Sequence, residues 1–180
     1  MAPGIDLKGR HIFIAGGSRG IGAATARMLG TFGASVSLTY HSQQQAAAEL
    51  VEEIDGGEGR GQAFEVAIED EESVSDAVDR ASSKFGDLKG MVVSAGVFEH
   101  CPIEDMTLEF WERTMSINLR GTVWCVKAAA RQMRAHGSGG SIVLYSSTAG
   151  QAGAGGGGSA YAVSKAGQIV FGRSMASELA

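Results

Sequence analysis

Five short apolar runs, rich in β-branched residues, recur along this chain, and a helix-length segment follows each of them. They are HIFIAG at His11–Gly16, SVSLTY at Ser35–Tyr40, QAFEVAI at Gln62–Ile68, GMVVSAG at Gly90–Gly96 and SIVLYSS at Ser141–Ser147. Such runs read as strands buried on both faces. The segments Ile21–Leu29, Gln43–Ile54, Glu72–Phe85, Leu108–Ala135 and Ala160–Leu179 repeat apolar residues at three and four, the spacing of one helix face. Parallel strands joined through helices cross over right-handed, so the alternation predicts an α/β fold: a doubly wound, Rossmann-like parallel sheet with helices on both faces.

The length, 180 residues, suits a single domain, 1–180, with no linker or internal repeat to divide it. Fifteen basic against twenty acidic residues, a net charge of −5, leave no electrostatic footprint for nucleic acid. No stretch approaches the roughly 18 apolar residues of a membrane span, and MAPGIDLKGR lacks the apolar segment of a secretory signal. A cytoplasmic protein with neither nucleic-acid nor membrane partners is therefore expected. Cys101 and Cys125 have neither metal-ligand spacing nor the density of a disulfide scaffold, so two separate reduced thiols and no metal site are expected. Glycine is the compositional anomaly: 27 residues against two prolines imply many close backbone approaches. The Gly153–Gly158 tract, between a strand and a helix, reads as a flexible loop beside the strand's carboxyl end.

AGGSRGIG, Ala15–Gly22, follows the first strand and opens the first helix. In that context the glycines are a dinucleotide fingerprint: Gly16 permits the tight turn, Gly20 lets backbone approach a pyrophosphate, and Gly22 lets helix and strand pack closely. The helix N-terminus offers its free N–H groups to the anion. A carboxylate closing the second strand would bind the adenosine ribose and repel a 2′-phosphate, but Tyr40, His41 and Ser42 stand there. Arg19, within the turn, suits a phosphate by charge and by fork geometry, so NADP(H) is expected over NAD(H).

Tyr161 and Lys165 lie four apart at the start of the last helix and share a face. A nearby ammonium and the positive helix end favour the phenolate, which suits the phenol to proton transfer. Ser147, just past the fifth strand, lies at the same sheet edge and can hydrogen-bond a substrate oxygen. Taken alone, a Tyr–Lys pair also fits an ordinary surface helix.

AGGSRGIG, SAG at Ser94–Gly96, INLRG at Ile117–Gly121, SSTAG at Ser146–Gly150 and YAVSK at Tyr161–Lys165 occur in an order and at spacings that resemble the short-chain dehydrogenase/reductases. The likeness covers essentially the whole chain and looks strongest toward 3-oxoacyl carrier-protein reductases. It implies a catalytic tetrad of Asn118, Ser147, Tyr161 and Lys165. Tyr161 would exchange a proton with the substrate oxygen, Ser147 would hold that oxygen, Lys165 would bind the nicotinamide ribose and depress the phenol pKa, and Asn118 would hold a relay water through its helix. The implied cofactor contacts are Gly16, Ser18, Arg19, Gly20, Ile21, Gly22, Tyr40, His41, Ser42, Ala95 and Gly96, with Tyr161 and Lys165.

Three departures from the family pattern matter. Ala15 replaces a threonine whose hydroxyl braces the turn. Ala67 stands where an acid would meet the adenine amino group, with Asp70 three residues on. Val93 and Ser94 replace two asparagines after the fourth strand. Val97, Phe98, Glu99, His100 and Cys101, with the Thr148–Ser159 loop, are the expected substrate side, His100 being read as a solvated loop residue. The expected substrate is a small carbonyl compound or alcohol: a 3-oxoacyl thioester first, a sugar, polyol or steroid-like alcohol as the alternative. A dinucleotide-sensing protein without turnover is the reading from another class, and the complete tetrad argues against it.

Trp111, Val123, Trp124, Val126, Ile169, Val170, Phe171 and Met175 exceed what one sheet face readily covers. As the resemblance also implies, a homodimer or homotetramer is expected. Members of the family run to about 250 residues, a common single-domain length, so the chain is expected to be the N-terminal part of a longer polypeptide, with its fifth strand left as an edge.

Overall fold

The computed structural model describes residues 4–180, and these form a five-stranded parallel sheet in the order β3-β2-β1-β4-β5. The strands are β1 His11–Ala15, β2 Ser35–Tyr40, β3 Arg60–Glu65, β4 Leu88–Val93 and β5 Ser141–Leu144. β1 lies at the centre, paired with β2 from His11↔Ser35 and with β4 from His11↔Leu88. The strand order reverses between β1 and β4. In open parallel sheets the crevice beyond the strands' carboxyl ends at such a point is where ligands bind.

Side-chain alternation along β1 divides the core between the two faces. Phe13 points to the face covered by α3 (Glu71–Phe85) and α5 (Gly121–His136), among Val74, Val78, Leu88 and Met91. Ile14 points to the face covered by α1 (Gly20–Thr31) and α2 (Gln44–Asp55), among Val36, Leu38, Leu50 and Ile54. Each of these fully buried aliphatic side chains contributes roughly 1.5–3 kcal/mol of transfer free energy. One polar residue is sealed in with them. His11 is wholly buried, its Nδ1 3.1 Å from the Gly86 carbonyl and its Nε2 2.8 Å from the Ser37 hydroxyl, which also accepts from Gln62 at 2.7 Å. A carbonyl only accepts, so Nδ1 carries the proton and Nε2 accepts from Ser37. Burial holds the imidazole below the ordinary histidine range. Cys125 is also buried, and desolvation pushes its thiol up to about 12, so it packs as a small apolar side chain.

Two expectations need correction. The helix expected over Leu108–Ala135 is interrupted: α4 spans Leu108–Met115, one wide π turn occupies Ser116–Arg120, and α5 begins at Gly121. A side chain at Gly121 would meet the Ile68 carbonyl oxygen at 2.9 Å, so α5 starts hard against the chain leaving β3. The fifth run is a shorter and more exposed strand than a buried run predicts. β5 stops at Leu144 and its Val143 is 47% exposed. Tyr145 makes one more bond, N–H to the Val93 carbonyl at 3.0 Å, and the chain then turns into the short helix α6 (Ala149–Ala152). The Gly153–Gly158 tract follows as a loop into α7 (Ser159–Glu178).

Candidate active site

The turn after β1 is built by contact. The Gly16 backbone has φ +79°, and a Cβ there would lie 2.6 Å from Ala95 Cα, so the turn rests on the chain leaving β4. A Cβ on Gly22 would lie 2.1 Å from the Gly16 carbonyl oxygen, which fixes how closely α1 approaches the turn. Ala15 brings no hydroxyl, and the brace comes from β2 instead: Thr39 Oγ1 accepts from the Gly16 N–H at 2.8 Å, and the Thr39 carbonyl accepts from Gly17 at 2.9 Å. Thr39 is a site-building residue that strand patterning alone does not reveal. No side chain caps α1 at Arg19, leaving its first N–H groups facing the cleft.

That cleft encloses about 660 Å³ at the β1/β4 crevice. Of the expected cofactor residues, Gly16, Ser18, Arg19, Gly20, Ile21, Tyr40, His41, Ser42, Ala95 and Gly96 line it, whereas Gly22 lies beneath, against Gly16, and Tyr161 and Lys165 are not among its lining residues. Arg19 lines the same cleft as Tyr40, His41 and Ser42. Gly20 facing open space, uncapped helix N–H groups and the Arg19 guanidinium among the lining residues fit a dinucleotide's phosphates. Asp70 serves another purpose. Its carboxylate caps α3, accepting from the N–H groups of Glu72 at 2.9 Å and Ser73 at 3.4 Å, and Glu69 is the acid that lines the cleft.

At the other end of the cleft, Gly96 lies beside the residues of the expected tetrad. A Cβ built on it would be 3.2 Å from Asn118 Oδ1 and 3.6 Å from Lys165 Nζ. Lys165 is buried, with its ammonium 5.6 Å from the centroid of the Tyr161 ring. Nζ donates to the Tyr145 carbonyl at 3.0 Å and to Gln168 Oε1 at 2.9 Å, and desolvation holds the ammonium below the usual lysine range. Ser147 Oγ accepts from the Ala149 N–H at 3.1 Å, which leaves its own proton free to donate. Ser146 Oγ donates to the Lys165 carbonyl at 2.8 Å and ties the end of β5 to α7.

Asn118 acts as a clamp. Its amide accepts from the Val97 N–H at 2.8 Å and donates to the Val97 carbonyl at 2.9 Å and to Ser164 Oγ at 3.0 Å. Its backbone carbonyl accepts from the Thr122 hydroxyl at 2.7 Å and from Gln168 Nε2 at 2.8 Å. A carbonyl oxygen has two lone pairs, and both are engaged inside the fold. Phe98 packs edge-on against Tyr161 at 4.8 Å and against His100 at 4.7 Å. His100 is exposed, as expected, but is anchored: Nδ1 donates to the Gly156 carbonyl at 2.8 Å.

Residues 10–180 match the short chain dehydrogenase family along their length. The chain belongs to the short-chain dehydrogenase/reductase family. It is 36% identical to a short-chain dehydrogenase/reductase, FrzI, of a Cladobotryum species over 99% of its own length and 68% of that protein's. It is 36% identical to an L-rhamnose 1-dehydrogenase (NAD(P)(+)) of Sphingomonas sp. (strain SKA58), covering 78% of this chain and 56% of that enzyme. A short chain dehydrogenase of Burkholderia cenocepacia J2315, solved in complex with NADP, superposes with a TM-score of 0.91 at 36% identity, over 96% of this chain and 69% of that one. The doubly wound fold read from the alternation is thus the fold of the family's solved members.

Proposed function

We propose that this short-chain dehydrogenase/reductase interconverts a carbonyl compound and its secondary alcohol with NADP(H). The observation that carries the reading is the buried Lys165 ammonium beneath the Tyr161 ring, beside Gly96, which lines the same cleft as the glycine turn after β1. The dinucleotide, when bound, supplies or accepts the hydride. Tyr161 Oη gives the carbonyl oxygen its proton in reduction and takes it back in oxidation. The free Ser147 proton holds the same oxygen. The Lys165 charge stabilises the phenolate that remains, and its third N–H is available to the nicotinamide ribose. The preference for NADP(H) rests on Arg19 lining the same cleft as His41 and Ser42, with no carboxylate closing β2.

For substrate, a 3-oxoacyl thioester is the first reading. Phe98 sets an apolar edge beside Tyr161, and the glycine loop opposite contributes few side chains to obstruct a chain. The similarity to an L-rhamnose 1-dehydrogenase supports the second, a sugar or polyol. The test mixes the protein and NADPH with 3-oxoacyl thioesters and diketones, and with NADP⁺ and sugars or polyols in the reverse direction, following NADPH absorbance. Turnover with any member supports an oxidoreductase, and the preferred member chooses between the readings. Tight NADPH binding without turnover across the panel favours a cofactor sensor.

Self-association belongs to the same reading. Trp124 packs on the core with its indole N–H on the Glu69 carbonyl, and Val126 is buried, so part of the expected apolar excess is used within the chain. Leu108 on α4 and Val163 and Val170 on α7 remain 76%, 48% and 60% exposed, an apolar surface suited to a second copy. Light scattering at micromolar concentration is expected to give a homodimer or homotetramer, and a monomer overturns this.

A further inference from the structure

Gln168 is 1% exposed on α7, three residues after Lys165, and no part of the tetrad accounts for it. Its amide orientation is fixed by its partners. Lys165 can only donate, so Oε1 faces Nζ at 2.9 Å. The Asn118 carbonyl can only accept, so Nε2 faces it at 2.8 Å, with Thr122 Oγ1 at 2.6 Å. One side chain thus joins the buried ammonium to the π turn that carries the Asn118 clamp, and a burial this deep is maintained only because every polar atom of the amide is paired.

We propose that Gln168 is a positioning residue, an amide bridge that fixes the Lys165 ammonium between α7 and the Asn118 carbonyl and thereby keeps that cation in place beneath the Tyr161 ring. This rests on the catalytic reading above and deepens it. With Tyr145 O and Gln168 Oε1 each holding one N–H, a single N–H of Lys165 remains to serve ligand. Remove the Gln168 acceptor and the ammonium keeps one protein partner. It then swings toward water or gives up its proton more readily, and in either case Tyr161 loses a fixed neighbouring cation. Among the described residues no competing charge is buried at this cluster. On the elements packed against α7, Glu109, Glu112 and Arg113 of α4, Arg120 of the π turn and Lys127, Arg131, Arg134 and His136 of α5 are all exposed, and Arg113 is paired with Glu99 at 2.5 Å. On α7 itself, Arg173 and Glu178 are exposed. The phenols at hand are Tyr161 and Tyr145, whose hydroxyl faces Thr25 Oγ1 at 3.4 Å.

The test is a spectrophotometric titration of tyrosinate in the full chain without substrate or dinucleotide, so it reads out whether or not turnover is found. The difference from Tyr161→Phe isolates one phenol among the three tyrosines. Gln168→Leu is expected to raise the Tyr161 midpoint by about half a pH unit or more, with far-UV circular dichroism unchanged. Lys165→Met is expected to raise it as well, and adding Gln168→Leu to Lys165→Met to move it no further, because the bridge acts only through the ammonium. Should Gln168→Leu fail to fold, Gln168→Met, unbranched and without an acceptor, replaces it in both backgrounds. An unchanged midpoint in the folded single variant overturns the proposal. So does a shift that persists in the Lys165→Met background, which would mark Gln168 as a packing residue. The expected shifts in a protein without turnover would leave the bridge standing and remove the catalytic reading instead.

Discussion

At the residue scale, the phenol and the guanidinium are the side chains whose removal separates chemistry from binding. Tyr161→Phe deletes one hydroxyl that makes no hydrogen bond among the described residues and lies outside the phosphate turn. Turnover is expected to fall by about 10²–10⁴, the usual worth of a positioned acid or base, while NADPH affinity measured by fluorescence titration stays near the parent's. Arg19→Ala is expected to weaken NADPH roughly tenfold to a hundredfold, as for lost hydrogen bonds to a charged group, and to leave NADH nearly unchanged. Equal losses for both would assign Arg19 to the pyrophosphate or the turn. His11 governs a different property. Its folded-state affinity for protons is lowered by burial, so between the unfolded value near 6.5 and the lower folded one the unfolded chain binds the extra proton. Stability is therefore complete above about pH 6.5 and is lost as pH falls through that window. Urea midpoints at pH 7.5 and 5.5 are expected to differ more for the parent than for His11→Gln, which cannot take up the proton. The motif residues of the site were legible because glycine, tyrosine and lysine spacings carry chemistry on their face. Thr39, Ser164 and Gln168 were not. In a sequence, a buried polar side chain looks like any exposed one, and only its partners, distant along the chain, distinguish it.

At the scale of elements, every strand and every crossover helix announced itself through apolar period, and the errors collect at ends and at one break. Helical periodicity runs unbroken from Leu108 to Ala135, yet a π turn adds one residue to the loop of a single hydrogen bond without disturbing the apolar face by much. What it changes is the direction of Asn118, and no propensity encodes that. α3 shows the opposite case, an element whose start is written locally. Asp70 followed by Glu71 and Glu72 is a helix N-terminus by both cap and dipole. Asp70→Ala is expected to cost about 1 kcal/mol of unfolding free energy and to leave NADPH affinity unaltered. A selective loss of cofactor affinity would instead return Asp70 to the adenosine side of the cleft.

At the scale of the molecule, the central position of β1 makes one half of the sheet cheap to assemble and the other half costly. β1, β2 and β3 follow one another in sequence as they do in space, His11 meeting Ser35 and Ser35 meeting Arg60. β4 must come back past both crossovers to find the free side of β1, where His11 meets Leu88. Closing short loops costs less entropy than closing long ones, so a chain emerging from its N-terminus can zip its first three strands while β4 is still unmade. During that interval β1 is an open edge. The Gly16 turn also lacks its second wall, because Ala95 arrives only with β4. The turn proposed to hold the nucleotide thus takes shape only once β4 has docked, and a nucleotide present at that moment would bind the docked form alone, drawing that step toward completion by mass action.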